Sequence, residues 1–189
     1  MQEGQFAYAR HARADSLTMA RVPLLDREAL PPADRDIYDA YVAVRGRGPS
    51  DIHRAIANAP NLLRAYMPLS NELRFGTRLD PRLRELAIVA VGWQTHIEHE
   101  FTAHSRMALE AGVRQEQLDQ IGAYESSPVF NAHERAVIRF SLASTQAVRV
   151  PDEVFAQLRP LFDDALIVEL VMEVAFYNLV VRVLGALGL

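Results

Sequence analysis

The sequence predicts an all-α protein. Apolar residues recur at helical spacing through most of the chain, and no convincing period-two alternation interrupts them. Helix start signals recur at Asp80-Pro81 and at Asn131-x-x-Glu134, where a capping side chain precedes an apolar run. The last 25 residues form one long apolar stretch at helical period.

Element by element, residues 1–22 read as an irregular N-terminal arm, and 23–189 as one helical domain. After Pro31-Pro32 a helix is expected from Ala33 to Val44. Gly46, Gly48 and Pro49 mark a loop. Ser50 or Asp51 caps a short helix carrying His53 and Arg54, and a longer helix runs from Pro60 to about Phe75. Asp80-Pro81 opens a helix that ends near Trp93. Thr95-x-x-Glu98 reads as a capping box for the next helix, closed by Gly112. A short helix spans Arg114 to Ile121, and Asn131 caps one that reaches Thr145. Pro151 opens another, and the last runs from Asp163 to Leu184 with Gly185 placed to stop it. That last helix is apolar on nearly every side, so it must be surrounded by the domain or by a second subunit.

Composition excludes several functions. The 189 residues carry a net charge of -4, so binding to nucleic acid or a membrane surface by charge is not expected. Glu169, Glu173, Asn178 and Arg182 interrupt the apolar C-terminal stretch, which argues against a membrane span. No secretory signal precedes the domain, and a cytoplasmic location is expected. The chain has no cysteine, hence no disulfide, thiolate nucleophile or cysteine-ligated metal. It also has no lysine, hence no Schiff base and no P-loop. Acid–base chemistry must use His, Asp, Glu or Tyr, and fixed positive charge must be arginine.

The densest titratable cluster is His96-Ile97-Glu98-His99-Glu100 with His104 beyond it. His96, Glu100 and His104 share a stripe at i, i+4 and i+8, and His104 lies where that stripe meets the apolar face. His99 lies on another face. Glu85, in the preceding helix, is a carboxylate among Ile88, Val89 and Trp93. If Glu85 and Glu100 share a pocket, one of them is expected to hold its proton near neutrality. Alternatives stand beside this reading: a solvated face for His96 and Glu98, a satisfied core histidine at His104, and a buried ion pair of Glu85 with Arg82 or Arg84. A metal site could draw on His96, His99, Glu100 or His104. However, the zincin spacing is missed by one residue, and the doubled Glu-x-x-His of di-iron bundles is absent. No metal is assigned.

Arg84-Glu85-Leu86-Ala87-Ile88, Trp93, His99-Glu100-Phe101-Thr102-Ala103-His104 and Ala108-Leu109-Glu110-Ala111-Gly112 together resemble the carboxymuconolactone decarboxylase family. The alkylhydroperoxidase D (AhpD) proteins belong to the same superfamily. Phe176-Tyr177-Asn178-Leu179 and the residues to Leu184 resemble the last helix of cysteine-less members. The resemblance covers roughly residues 35–189. It implies an AhpD-like helical bundle that assembles as a trimer or hexamer. It aligns Glu85, His99 and His104 with the peroxidase branch's proton relay, and puts its two cysteines at Ile97 and Glu100. Without those thiols, dithiol peroxide reduction is excluded. What the resemblance leaves is a cofactor-free lyase or isomerase acting on a small carboxylated or aromatic-derived metabolite. Glu85, Glu100 and His104 would be the catalytic set. Trp93, His99, Tyr177, Arg54 and Arg182 are the substrate-binding candidates, with Arg64 a further carboxylate-binding arginine. The alternative is a non-catalytic ligand-binding or scaffold oligomer that lost the dithiol.

Overall fold

The computed structural model describes residues 20–189, so most of the arm assigned to 1–22 lies outside the described residues. The described chain forms nine α-helices: α1 (Asp36–Arg45), α2 (Asp51–Ile56), α3 (Pro60–Asn71), α4 (Pro81–Thr95), α5 (Glu98–Glu110), α6 (Gln115–Asp119), α7 (Ala132–Gln146), α8 (Asp152–Ala156) and α9 (Asp164–Leu187). Short 3-10 turns join some of them, and no strand occurs among the described residues. None of these helices is long and apolar enough to cross a membrane.

The helix enclosed on all sides is α4. Every residue from Glu85 to Gly92 is buried, and α5, α7 and α9 pack around it. Leu86, Val89 and Ala90 face α5, α6 and α7 in one cluster with Ala108, Leu118 and Ile138; Ala87 and Val91 join α7 and α9 in another with Phe140, Leu170 and Val174. The sequence pointed instead to the last helix as the surrounded one. α9 does bury Leu170, Val174, Val180 and Leu184, but Val168, Val171, Met172 and Leu179 are exposed in the single chain. The small side chains of Ala87, Ala90 and Gly92 let the neighbours of α4 approach closely, and α9 lacks an equivalent run.

The start of α4 follows the expected chemistry. Asp80 Oδ1 accepts a 2.7 Å hydrogen bond from the Arg82 amide, and Pro81 occupies the first turn. The expected capping box at Asn131 also forms, with Glu134 Oε2 accepting from the Asn131 amide at 2.8 Å and Asn131 Oδ1 accepting from the Glu134 amide at 3.0 Å. Three local expectations are corrected. Thr95 does not cap α5; α4 runs through it, and its hydroxyl donates to the Val91 carbonyl at 2.8 Å. Gly185 does not end α9, which continues until Gly188 turns left-handed at φ 68°. The helix expected from Pro60 to Phe75 changes to a π turn at Glu72–Gly76.

The α4–α5 connection is tight. His96 adopts a left-handed φ of 55°, the only positive φ outside glycine among the described residues. A Cβ on Gly92 would lie 2.9 Å from the Phe101 backbone nitrogen, so the two helices meet backbone to backbone there. Gly92→Ala forces that contact apart. It should cost about 1–3 kcal/mol in chemical denaturation, as overpacked sites do. Gly48→Ala, whose Cβ would meet nothing within 4 Å, should leave stability nearly unchanged by the same measurement.

Candidate active site

The close approach of α4 and α5 brings Glu85 and His104 together although they are 19 residues apart in sequence. His104 Nδ1 lies 2.7 Å from Glu85 Oε2, and His104 Nε2 lies 3.1 Å from Glu100 Oε1. The second contact is close but poorly aligned, and Glu100 Oε1 is left buried with no hydrogen-bond partner. The Glu85, Glu100 and His104 side chains are 2%, 7% and 7% exposed, so the imidazole sits between two carboxylates almost out of water. Tyr177 of α9 packs edge-on against it, 4.8 Å between ring centroids.

Burial alone would strip the proton from His104. The 3.1 Å Glu100 contact, the Glu85 hydrogen bond and the charges of both carboxyl groups outweigh burial and push its pKa up to about 9. The imidazolium is therefore the resting form at neutral pH. For Glu85, burial opposes ionisation, but the His104 bond and the cations of Arg84 and Arg74 win and hold its pKa below the usual value. Arg84 Nη2 lies 3.4 Å from Glu85 Oε1, as the buried ion-pair reading anticipated.

A third carboxyl, Glu173 of α9, keeps its proton towards neutrality. It is 2% exposed, its Oε2 has no hydrogen-bond partner, and burial pushes its pKa up to about 7 against the pull of Arg84. Nearby Glu85 adds to the upward shift and His104 subtracts from it. In the sequence Glu173 figured only as an interruption of an apolar stretch. The pattern that singled out Glu85 also fits Glu173: its neighbours at i-3, i+1 and i+7 are Leu170, Val174 and Val180, and Tyr177 follows one turn on.

The remaining sequence candidates lie elsewhere, apart from Tyr177. His99 is exposed on the outer side of α5, in a surface hollow of about 500 Å³ with Glu98, Thr102, Ala103 and Arg106. Trp93 packs near the C-terminal end of α4 against the turn at Gly122. Arg54 is paired with Asp26 and Asp51, each at 3.0 Å, and Arg64 with Asp34 and Asp36. Arg182 is exposed and donates to the Asn178 carbonyl and side chain. Among the described residues no three His, Asp or Glu side chains are grouped to hold a metal ion. His96 and His99 point outward while Glu100 and His104 turn in.

Fold and site together define a class: an all-helical bundle with a buried carboxylate–imidazole cluster on its central helix pair and no thiol. The sequence model of the carboxymuconolactone decarboxylase family matches residues 60–142, from α3 through most of α7. Over the whole described chain the fold is the AhpD-like helical fold. No curated protein matches it. Among solved structures it is similar to the debrominase Bmp8, whose substituted form was solved with 2,3,4-tribromopyrrole, at 17% identity and a TM-score of 0.75 over 92% of each chain. It is similar at 22% identity and a TM-score of 0.73 to the AhpD core of a peroxidase-related protein from Ralstonia eutropha JMP134, over 89% of this chain and 90% of that one. A peroxidase-related protein from Silicibacter sp. TM1040 gives the same identity and TM-score over 89% and 88%.

Proposed function

We propose that the protein is a cofactor-free acid–base enzyme, a lyase or isomerase acting on a small carboxylated or aromatic-derived metabolite. The observation that carries this reading is the His104 imidazolium held between Glu85 and Glu100 with one Glu100 oxygen unsatisfied. In decarboxylation, the C–C bond to the carboxylate breaks, its electron pair enters an adjacent carbonyl as an enolate, and CO2 leaves. His104 then delivers a proton to carbon, and solvent replaces it through the carboxyl cluster. In isomerisation, the unsatisfied Glu100 carboxylate removes a proton next to a carbonyl and His104 returns it at another carbon. Glu85 holds the ring by Nδ1 and keeps it charged, which makes it a positioning residue. A small aromatic guest also suits the Tyr177 wall, and the similar debrominase takes a small heteroaromatic.

A second reading has an observation of its own. The Arg84 contact to Glu85 and the low exposure of the cluster also suit a ligand-binding or scaffold oligomer that performs no chemistry. In either case the exposed side of α9, with Val168, Met172 and Leu179, suits burial against another copy in a trimer or hexamer.

Proton NMR in D2O separates the two. Small carboxylated lactones, β-keto acids and phenolic acids are incubated with the protein, and solvent deuterium entering carbon or CO2 leaving is followed. The enzyme reading expects incorporation or release with at least one of these compounds, lost in His104→Asn. Turnover that persists in His104→Asn contradicts it.

A further inference from the structure

A carboxylated substrate needs a cation with spare donors, and Arg54, Arg64 and Arg84 are already occupied by carboxylates. Arg45 and Arg74 are not. Neither has a carboxylate within ion-pair distance among the described residues. Arg45, in the last turn of α1, donates from Nε to Asn71 Oδ1 at 2.9 Å and from Nη2 to the Ser70 carbonyl and hydroxyl. Its Nη1 is left unused. Arg74 lies in the π turn after α3, and among the described residues its only side-chain hydrogen bond runs from Nη2 to Met107 Sδ at 3.1 Å. A thioether is a weak acceptor for a guanidinium, and Nε and Nη1 remain open. Both side chains are half-buried, and both guanidinium carbons lie over the Phe75 ring, at 5.1 and 5.9 Å from its centroid.

The pair also belongs to the site electrostatically. Arg74 acts on Glu85, Glu173 and Tyr177, while Arg45 acts on Tyr66 and Tyr177. The two guanidinium groups repel each other: the hold of Arg45 on its proton is weakened, by burial first and by Arg74 second. Two half-buried cations that share the Phe75 ring and have no carboxylate at ion-pair distance among the described residues favour an anionic guest. Tyr66, Phe176 and Tyr177 form a run of ring contacts that ends on His104, with ring centroids 5.1 Å apart for Tyr66–Phe176, 5.7 Å for Phe176–Tyr177 and 4.8 Å for Tyr177–His104. They offer an apolar wall to the body of the same molecule.

We propose that Arg45 and Arg74 bind the carboxylate of a planar, organic monocarboxylate substrate, with its body against the Tyr66–Phe176–Tyr177 rings. This rests on the acid–base reading for its substrate class, but its test needs no turnover. Titration calorimetry of the full chain at constant ionic strength compares benzoate, benzamide and sulfate. Benzoate should bind, with benzamide about tenfold weaker or more, the loss expected for a charged hydrogen bond. Arg74→Gln and Arg45→Gln should each weaken benzoate by about tenfold, and Arg74→Lys should recover part of it. Thermal midpoints check folding. Arg74→Gln carries the test if loss of the Asn71 and Ser70 bonds unfolds Arg45→Gln. Because these titrations read binding and not turnover, failure of this assignment is distinguishable from failure of the acid–base reading, which the deuterium-exchange assay reports. The proposal is overturned if benzoate does not bind, if benzamide matches it, or if folded arginine variants bind like the wild type. Sulfate binding as tightly as benzoate would also overturn it, because the pair would then be a plain anion site.

Discussion

Replacing His104 with asparagine should lower turnover by about 10²–10⁴-fold, the usual share of a positioned proton donor. Asparagine can still donate to Glu85 from roughly the place of Nδ1, so the fold should survive. His104→Ala is harsher. Among the described residues it leaves Glu85 with only the 3.4 Å Arg84 contact and Glu100 with no cation at ion-pair distance. Stripping the partner from a buried charge pair costs about 3–5 kcal/mol. Chemical denaturation of both variants should therefore separate a large stability loss in His104→Ala from a mainly kinetic loss in His104→Asn. Equal stability of His104→Ala and wild type would mean the cluster is wetter than its geometry shows.

The second large effect is the pH dependence of stability. The folded pKa of His104 is raised from 6.5 to about 9. Its contribution is therefore fully present below about pH 6.5 and disappears as pH rises through 9. Over that window about 3 kcal/mol should be lost, since each tenfold gain in proton affinity on folding is worth about 1.4 kcal/mol. Glu173, raised to about 7, acts in the same direction but earlier, its share fading between its ordinary value of 4.5 and 7. Glu85, held below its usual value, acts in the opposite direction: its share is present above that value and lost on acidification. Urea unfolding at pH 5, 7 and 10 should therefore show stability falling towards alkaline pH. Glu173→Gln should flatten the first part of that fall and leave the part near pH 9. A wild-type curve that stays level from pH 7 to 10 would contradict the imidazolium.

Much of the fold is written in local chemistry. Asp80-Pro81 and Asn131-x-x-Glu134 locate α4 and α7 because their capping bonds form within three residues. Thr95-x-x-Glu98 misleads because a left-handed His96 provides the turn, and the tight Gly92–Phe101 approach belongs to tertiary packing. The convergence of Glu100 and His104 follows from helical spacing, and that of Glu85 from a carboxylate on an apolar face. Glu173 has the same signature on α9, but in the sequence it stands out only as a charge in an apolar stretch. The arginines were the least legible. Which guanidinium is free depends on whether an acidic residue far along the chain reaches it. Asp26 reaches Arg54 and Asp34 reaches Arg64, whereas Arg45 and Arg74 meet no carboxylate among the described residues.

The central claim is a charged imidazole clamped between two buried carboxylates, and a histidine-labelled NMR titration tests it most directly. Of the six histidines, His104 is assigned by its loss in His104→Asn. Its ring should stay protonated on both nitrogens through neutral pH and titrate near pH 9, with the Nδ1 proton shifted downfield by its 2.7 Å bond to Glu85. A His104 that titrates at or below the ordinary value of 6.5 would show a neutral core histidine, and the acid–base account would fall with it.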